Sequence, residues 1–159
     1  MQAPVLSIGI PTFNREKYIL SQVKILTKFI IKNKLEKKVE IVISDNDSKY
    51  NIFLLLEEFL ESNSFIKVNK NEKNIGMGRN IFKVFERSKG KYFYFIGDDD
   101  IISENGLIAL VKAAERSNNS LIVMRCELTY GWKNYFPKKV SLKIWQKFNY
   151  INQADIYYM

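Results

Sequence analysis

Three consecutive aspartates, Asp98-Asp99-Asp100, follow directly on the hydrophobic run Tyr92-Phe93-Tyr94-Phe95-Ile96. Like charges at loop distances repel and each carboxylate prefers its own hydration, so the cluster is costly unless a partner offsets it. A divalent cation shared with a substrate phosphate is such a partner. Mg²⁺ and Mn²⁺ favour oxygen ligands, and one or two carboxylates plus a diphosphate make a suitable site. The alternative is an exposed acidic turn ahead of a helix, where the helix dipole favours aspartate. The chain has no histidine and one cysteine, Cys126. That excludes an intrachain disulfide, a Cys/His zinc site and a His-based triad, and leaves carboxylates as the strong metal ligands.

Other candidate groups also sit where apolar runs end. Asp45 closes Val39–Ser44 and opens the polar stretch Asp45-Asn46-Asp47-Ser48. Its carboxylate could accept a hydrogen bond from a nucleobase N–H or simply form an Asx-turn. Thr12, Asn14 and Arg15 follow the first apolar run in the same way, as contacts for a base or phosphates or as an ordinary loop before a helix. Gly76-Met77-Gly78-Arg79-Asn80 would admit a ligand close to the backbone, with Arg79 beside a diphosphate or facing solvent. It is neither a dinucleotide-binding fingerprint nor a phosphate loop ending in Gly-Lys-Ser/Thr.

The elements that must position these groups are legible as alternating periods. Val5–Ile10, Val39–Ser44, Phe65–Val68, Tyr92–Ile96 and Leu121–Met124 read as strands. From Glu16 to about Lys32, Ile19, Val23, Leu26 and Ile30 recur at steps of four, three and four, which predicts an amphipathic helix. Further helices are expected over about Asn51–Glu61, Arg79–Arg87 and, capped by Ser103, to about Glu115. Such alternation predicts an α/β domain with a mostly parallel sheet, helices on both faces, and functional groups gathered beyond the strand C-termini.

The length of 159 residues suits a single domain, and the formal charge of +8 favours anionic partners. No apolar run is long enough to span a membrane and the N-terminus lacks signal-peptide character, so a cytoplasmic location is expected. Residues 130–149 interleave Trp132, Tyr135, Phe136, Trp145 and Phe148 with lysines, a composition able to meet an anionic membrane surface or a lipid-linked acceptor. Nucleic acid is not expected, because three aspartates at the ligand edge would repel a phosphate backbone.

Four ordered blocks carry a resemblance. Ser7-Ile8-Gly9-Ile10-Pro11-Thr12-Phe13-Asn14-Arg15, Ile41-Val42-Ile43-Ser44-Asp45-Asn46-Asp47-Ser48, Asn74-Ile75-Gly76-Met77-Gly78-Arg79-Asn80 and Phe95-Ile96-Gly97-Asp98-Asp99-Asp100 occur in that order. Together they resemble the N-terminal nucleotide-binding half of the inverting family 2 glycosyltransferases, over about residues 5–125. The resemblance implies a GT-A-like, Rossmann-type fold and a nucleotide-diphosphate sugar donor, with a UDP-sugar favoured. It implies nucleobase contacts from Thr12, Phe13, Arg15 and Asp45, with Pro11 also in the nucleotide-sugar site, and a nucleotide-site border at Gly76 with Arg79 as its cation. Asp98 would lie near the ribose, Asp100 would coordinate diphosphate-bound Mn²⁺ or Mg²⁺ together with Asp98, and Asp99 would help orient sugar or metal.

Inversion also needs a general base that deprotonates the acceptor hydroxyl. The resemblance places that base well downstream of the aspartates, where Glu127 and Asp155 are the weak candidates. Residues 1–125 are thus expected to form the donor-binding subdomain and 126–159 an incomplete acceptor region, as in a chain truncated at its C-terminus. A homodimer could cover the apolar edge so exposed. The acceptor would be a glycan or a lipid-linked saccharide. The alternative function is a catalytically incomplete donor-binding or structural module.

Overall fold

Ile19, Val23, Leu26 and Ile30 are fully buried on one side of the first helix, and the sheet beneath them is what they cover. The computed structural model of the chain describes residues 3–118 and, as backbone pairing alone, two short strands at 123–124 and 142–143. The elements in order are β1 (Leu6–Thr12), α1 (Glu16–Lys32), β2 (Val39–Asp45), α2 (Ile52–Leu55), α3 (Glu57–Ser62), β3 (Ile66–Lys70), α4 (Met77–Arg87), β4 (Tyr92–Phe95), α5 (Glu104–Arg116), β5 (Val123–Met124) and β6 (Leu142–Lys143). Four strands form one parallel sheet in the order β3-β2-β1-β4.

Alternation along β1 and β2 sorts the helices onto two faces. Leu6, Ile8 and Ile10 of β1 and Val39, Ile41 and Ile43 of β2 share one buried cluster with α1, with Ile52 and Leu56, and with Leu107, Leu110 and Val111 of α5. Each such side chain contributes about 1.5–3 kcal/mol by leaving water. The intervening residues face the other way, toward α4. A Cβ on Gly9 would come within 2.5 Å of Val84 on α4 and 2.4 Å of the Phe93 ring, so only glycine lets those groups lie against the strand. Ser44, also on this face, donates to the Asn80 side chain at 2.8 Å.

Most boundaries follow the sequence periodicity, and three departures have physical causes. β1 runs through Pro11 to Thr12. Val5 and Gly9 accept from Tyr92 and Ile96 of the neighbouring segment, so odd-numbered residues aim their backbone groups at β4; Pro11 lies past the end of that ladder, where its missing N–H costs nothing. The single helix expected over Asn51–Glu61 is two, divided at Leu56, whose backbone (φ −109°, ψ 13°) closes one turn and opens the next. The fifth strand forms at Val123–Met124 but pairs antiparallel with Leu142–Lys143 instead of extending the parallel sheet. Glu127, Asp155 and, apart from the paired backbone at 142–143, the aromatic stretch of residues 130–149 lie outside the described residues.

α5 begins where expected: the Ser103 hydroxyl accepts from the Gly106 N–H at 3.0 Å, a cap worth about 1 kcal/mol. Among the described residues no helix is long and apolar enough to cross a membrane.

Candidate functional site

The C-terminal ends of β1 and β2 stop level, with Thr12 opposite Asp45, and the segment leaving β4 turns across their tips. Thr12 donates its hydroxyl to Asp98 Oδ2 at 2.7 Å. Arg15 donates from Nη1 to Asp98 Oδ1 at 2.9 Å and pairs with Asp99 Oδ2 at 2.7 Å. Both oxygens of the buried Asp98 are therefore engaged, one by each side of the β1 loop. The hydrogen bond to Asp98, then that to Asp99, then their charges push the Arg15 guanidinium still further above its ordinary value, so it is a permanent cation. Its plane lies over the Tyr18 ring, 5.3 Å from the centroid.

Asp100 is held differently. Its Oδ2 accepts from the Gly97 N–H at 3.0 Å, and its own N–H reaches the Gly97 carbonyl at 3.3 Å, closing a tight acidic turn. Its other oxygen carries no hydrogen bond among the described residues, and the side chain is exposed. No group of three metal-ligating side chains occurs among the described residues. A cation here would take few ligands from the protein and the remainder from phosphate oxygens and water, which suits Mg²⁺ chemistry.

Asp45 is fully buried. Ser48 donates its N–H to both carboxylate oxygens at 3.2 Å and its hydroxyl to Oδ1, while Lys70 Nζ lies 3.8 Å from Oδ2. The local turn is thus realised, and it sets the carboxylate at the sheet edge beside Thr12. The loop continues through Asp47, whose φ of 67° is a left-handed conformation that aspartate tolerates. Asn14, at φ 54°, stitches the two loops together: its N–H donates to Ser48 Oγ at 2.7 Å and its Oδ1 accepts from Lys49 N–H at 2.9 Å. Its side chain serves the scaffold, leaving Phe13 and Arg15 as exposed side chains of the loop, with Thr12 buried against Asp98.

A set of asparagines fixes the third block. Asn46 donates to Asn74 Oδ1 at 2.9 Å and accepts from Asn71 Nδ2 at 3.2 Å and Ile75 N–H at 3.0 Å. Asn80, nearly fully buried, accepts from Ser44 Oγ at 2.8 Å and Asn71 Nδ2 at 2.9 Å, and donates to the Ser44 carbonyl at 2.9 Å. Gly76 leads into α4 with φ 84° and ψ 157°, a region essentially reserved for glycine. Arg79 is exposed on the first turn of α4 and forms no ion pair among the described residues.

Sequence reasoning missed the structural roles of Asn46, Asn71, Asn74 and Asn80, and also Tyr50. The Tyr50 hydroxyl is buried without a hydrogen-bond partner. Burial pushes its pKa up, countered by the Ser48 and Thr12 side chains and reinforced by the charges of Asp45 and Asp98. Tyr50 thus adds a buried phenol near both aspartates.

The sequence matches the family model "Glycosyl transferase family 2" over residues 7–157. The chain belongs to that family. The match extends beyond the roughly 5–125 over which the four blocks are recognisable. An uncharacterized glycosyltransferase of Methanocaldococcus jannaschii is 24% identical over 161 residues, covering 93% of this chain and 52% of that protein. A Campylobacter jejuni GalNAc(5)-diNAcBac-PP-undecaprenol beta-1,3-glucosyltransferase is 28% identical over 113 residues, covering 70% of this chain and 35% of that protein. The chain therefore spans about half, or less, of the length of these relatives. Among solved structures, residues 1–349 of S. aureus TarS in complex with UDP-GlcNAc superpose with a TM-score of 0.58 at 24% identity, over 69% of this chain and 31% of that one. This likeness establishes the GT-A-like fold for the family 2 chain.

Proposed function

We propose that this family 2 chain provides the donor site of an inverting glycosyltransferase that uses a nucleotide-diphosphate sugar, with a UDP-sugar favoured. The observation that carries the reading is the junction of Thr12 and Arg15 with Asp98 and Asp99, which joins the ends of β1 and β4 beside the buried Asp45. The TarS complex with UDP-GlcNAc, on the same fold, supports a uridine donor.

In this reading Asp45 and the Thr12–Arg15 loop receive the nucleobase, and Phe13, Pro11 and Gly76 line its surroundings. Asp98, held rigid by its two donors, meets the ribose. Arg79 supplies a cation at the diphosphate. The Asp100 oxygen left open would hold Mn²⁺ or Mg²⁺, which as a Lewis acid would stabilise the negative charge of the departing nucleoside diphosphate, while both Asp98 oxygens are engaged by Thr12 and Arg15. An acceptor hydroxyl attacks the anomeric carbon from the face opposite the breaking sugar–phosphate bond, and its proton passes to a carboxylate base. The acceptor is a glycan or a lipid-linked saccharide; the name of the Campylobacter relative supports the latter.

Calorimetric titration of the chain with UDP and with GDP, in Mn²⁺ and after chelation, tests the donor assignment. UDP is expected to bind more tightly than GDP, and to weaken on chelation and in Asp100→Ala. Equal UDP affinity in Mn²⁺, in chelator and in Asp100→Ala would reject the metal role. Absence of UDP binding under all conditions would reject the donor site itself.

A further inference from the structure

Basic charge is dense in two stretches of this chain, residues 16–38 and the lysine-rich residues 130–149, and the side chains of the first are among the described residues. Residues 16–38, comprising α1 and the turn that follows it, hold seven lysines and two glutamates, whereas the whole chain carries a formal +8. Two of the seven are neutralised locally: Lys32 pairs with Glu104 at 2.9 Å and Lys38 with Glu115 at 2.7 Å. Among the described residues Lys17, Lys24, Lys28, Lys34 and Lys37 enter no ion pair, and all five are exposed.

Helical geometry puts three of them in a line. At about 100° per residue, Lys17, Lys24 and Lys28 fall within an arc of roughly 40°, on the side of α1 opposite Ile19, Val23, Leu26 and Ile30. At about 1.5 Å per residue the line is roughly 16 Å long. Ile31, exposed, lies at its edge, and the exposed Lys34 and Lys37 follow in the turn after the helix C-terminus. The helix offers a cationic rail with an aliphatic side chain beside it. Among the described residues no contact at the donor site involves this rail, and the opposite side of α1 covers the sheet; of the three lysines in line, only Lys28 adds its charge near Glu104.

We infer that the outer face of α1 docks on an anionic phospholipid surface. A planar array of negative headgroups complements a straight row of ammonium groups, each near-surface lysine adding to the attraction, and Ile31 can enter between headgroups. Single-stranded nucleic acid fits less well, since the row holds no aromatic ring on which bases would stack. Lys17 stands two residues from Arg15, so a protein docked in this way holds the edge bearing Asp98 beside the surface. The docking stands on α1 alone and does not need the donor-site reading.

Co-sedimentation with phosphatidylcholine vesicles, with and without phosphatidylglycerol, tests the inference. Binding is expected only with phosphatidylglycerol and should be lost in high salt. The triple variant Lys17→Gln/Lys24→Gln/Lys28→Gln is expected to lower partitioning on the order of a hundredfold. A second triple variant, Lys67→Gln/Lys73→Gln/Lys83→Gln, removes the same charge from exposed positions elsewhere and should bind within a few-fold of the parent. UDP titration of both variants should match the parent, which separates a failure of docking from a failure of the donor site. Equal losses in the two variants would overturn the assignment to α1. No binding to phosphatidylglycerol vesicles, equal binding to neutral ones, or retention on a single-stranded oligonucleotide alone would overturn the membrane.

Discussion

Thr12 and Asp98 lie 86 positions apart in the chain and meet at 2.7 Å, hydroxyl to carboxylate, at the end of the parallel sheet. This contact and the Arg15 pair on the other oxygen of Asp98 turn two loops into one rigid edge. Asp98→Asn keeps an acceptor for Thr12 but turns an amide donor toward the guanidinium. A stability loss of about 1–3 kcal/mol is expected, near the low end because the half-exposed Arg15 can turn to water. UDP affinity should fall about tenfold or more, the equivalent of roughly one charge-assisted contact. Chemical denaturation and calorimetry on the same protein check both. Unchanged UDP affinity alongside lower stability would make the junction a scaffold only.

Much of this edge is legible in the sequence because it depends on local pattern. The four-, three- and four-residue steps from Ile19 to Ile30 delimit α1, and an aromatic run ending in Gly97 announces where the aspartates emerge. The contacts between loops are not legible. Asn46, Asn71, Asn74 and Asn80 differ in no local way from the chain's other asparagines, and their roles appear only once β2 and β3 bring them to the same sheet edge. The division at Leu56 is likewise invisible to periodicity, because Ile52 and Leu56 sit four apart and would suit an unbroken helix. Tyr50 reads as an ordinary loop aromatic until its hydroxyl is found buried, within reach of the charges of Asp45 and Asp98.

Asn80→Ala tests whether the asparagine network fixes the loop ahead of α4. The substitution removes the amide and leaves the buried Ser44 hydroxyl and carbonyl and the Asn71 amide short of partners. A destabilisation of about 2–4 kcal/mol is expected, since each unsatisfied buried group costs about 1–3 kcal/mol and part is recovered by relaxation. Urea unfolding reads this directly. A loss below about 0.5 kcal/mol, the range of ordinary surface substitutions, would show that the network has no role in stability.

Glu104 supplies a pH-dependent contact on the α1 side. Hydrogen bonds from Asn33 and then Lys32 hold its carboxyl below the ordinary carboxylate range, with further help from the charges of Lys32 and Lys28. A depressed folded-state pKa means that the folded chain favours the ionised form. The resulting stability is present above the ordinary value of 4.5 and is lost as pH falls through the lower folded value. Glu104→Gln should therefore melt below the parent at neutral pH, and the gap should narrow in acid. A gap independent of pH would place the effect in packing or helix capping instead of charge.

Asp45→Asn separates the two roles open to that carboxylate. The buried group accepts from Ser48 through both oxygens and sits 3.8 Å from Lys70, so replacing it by an amide disturbs the turn whatever its ligand. The Ser48 N–H can still be satisfied by the remaining amide oxygen. A moderate loss of about 1–3 kcal/mol is expected from the weakened charged hydrogen bonds. A nucleobase N–H, however, needs a second acceptor oxygen on this group, and the amide of asparagine offers one oxygen, held by Ser48, and an NH₂ donor in place of the other. Ser48→Ala supplies the control, because it disturbs the same turn and leaves the carboxylate in place. If Asp45 receives the base, Asp45→Asn should weaken UDP binding well beyond Ser48→Ala at matched loss of melting temperature. Equal UDP affinities in the two variants would assign Asp45 to the turn and move base recognition to the Thr12–Arg15 loop.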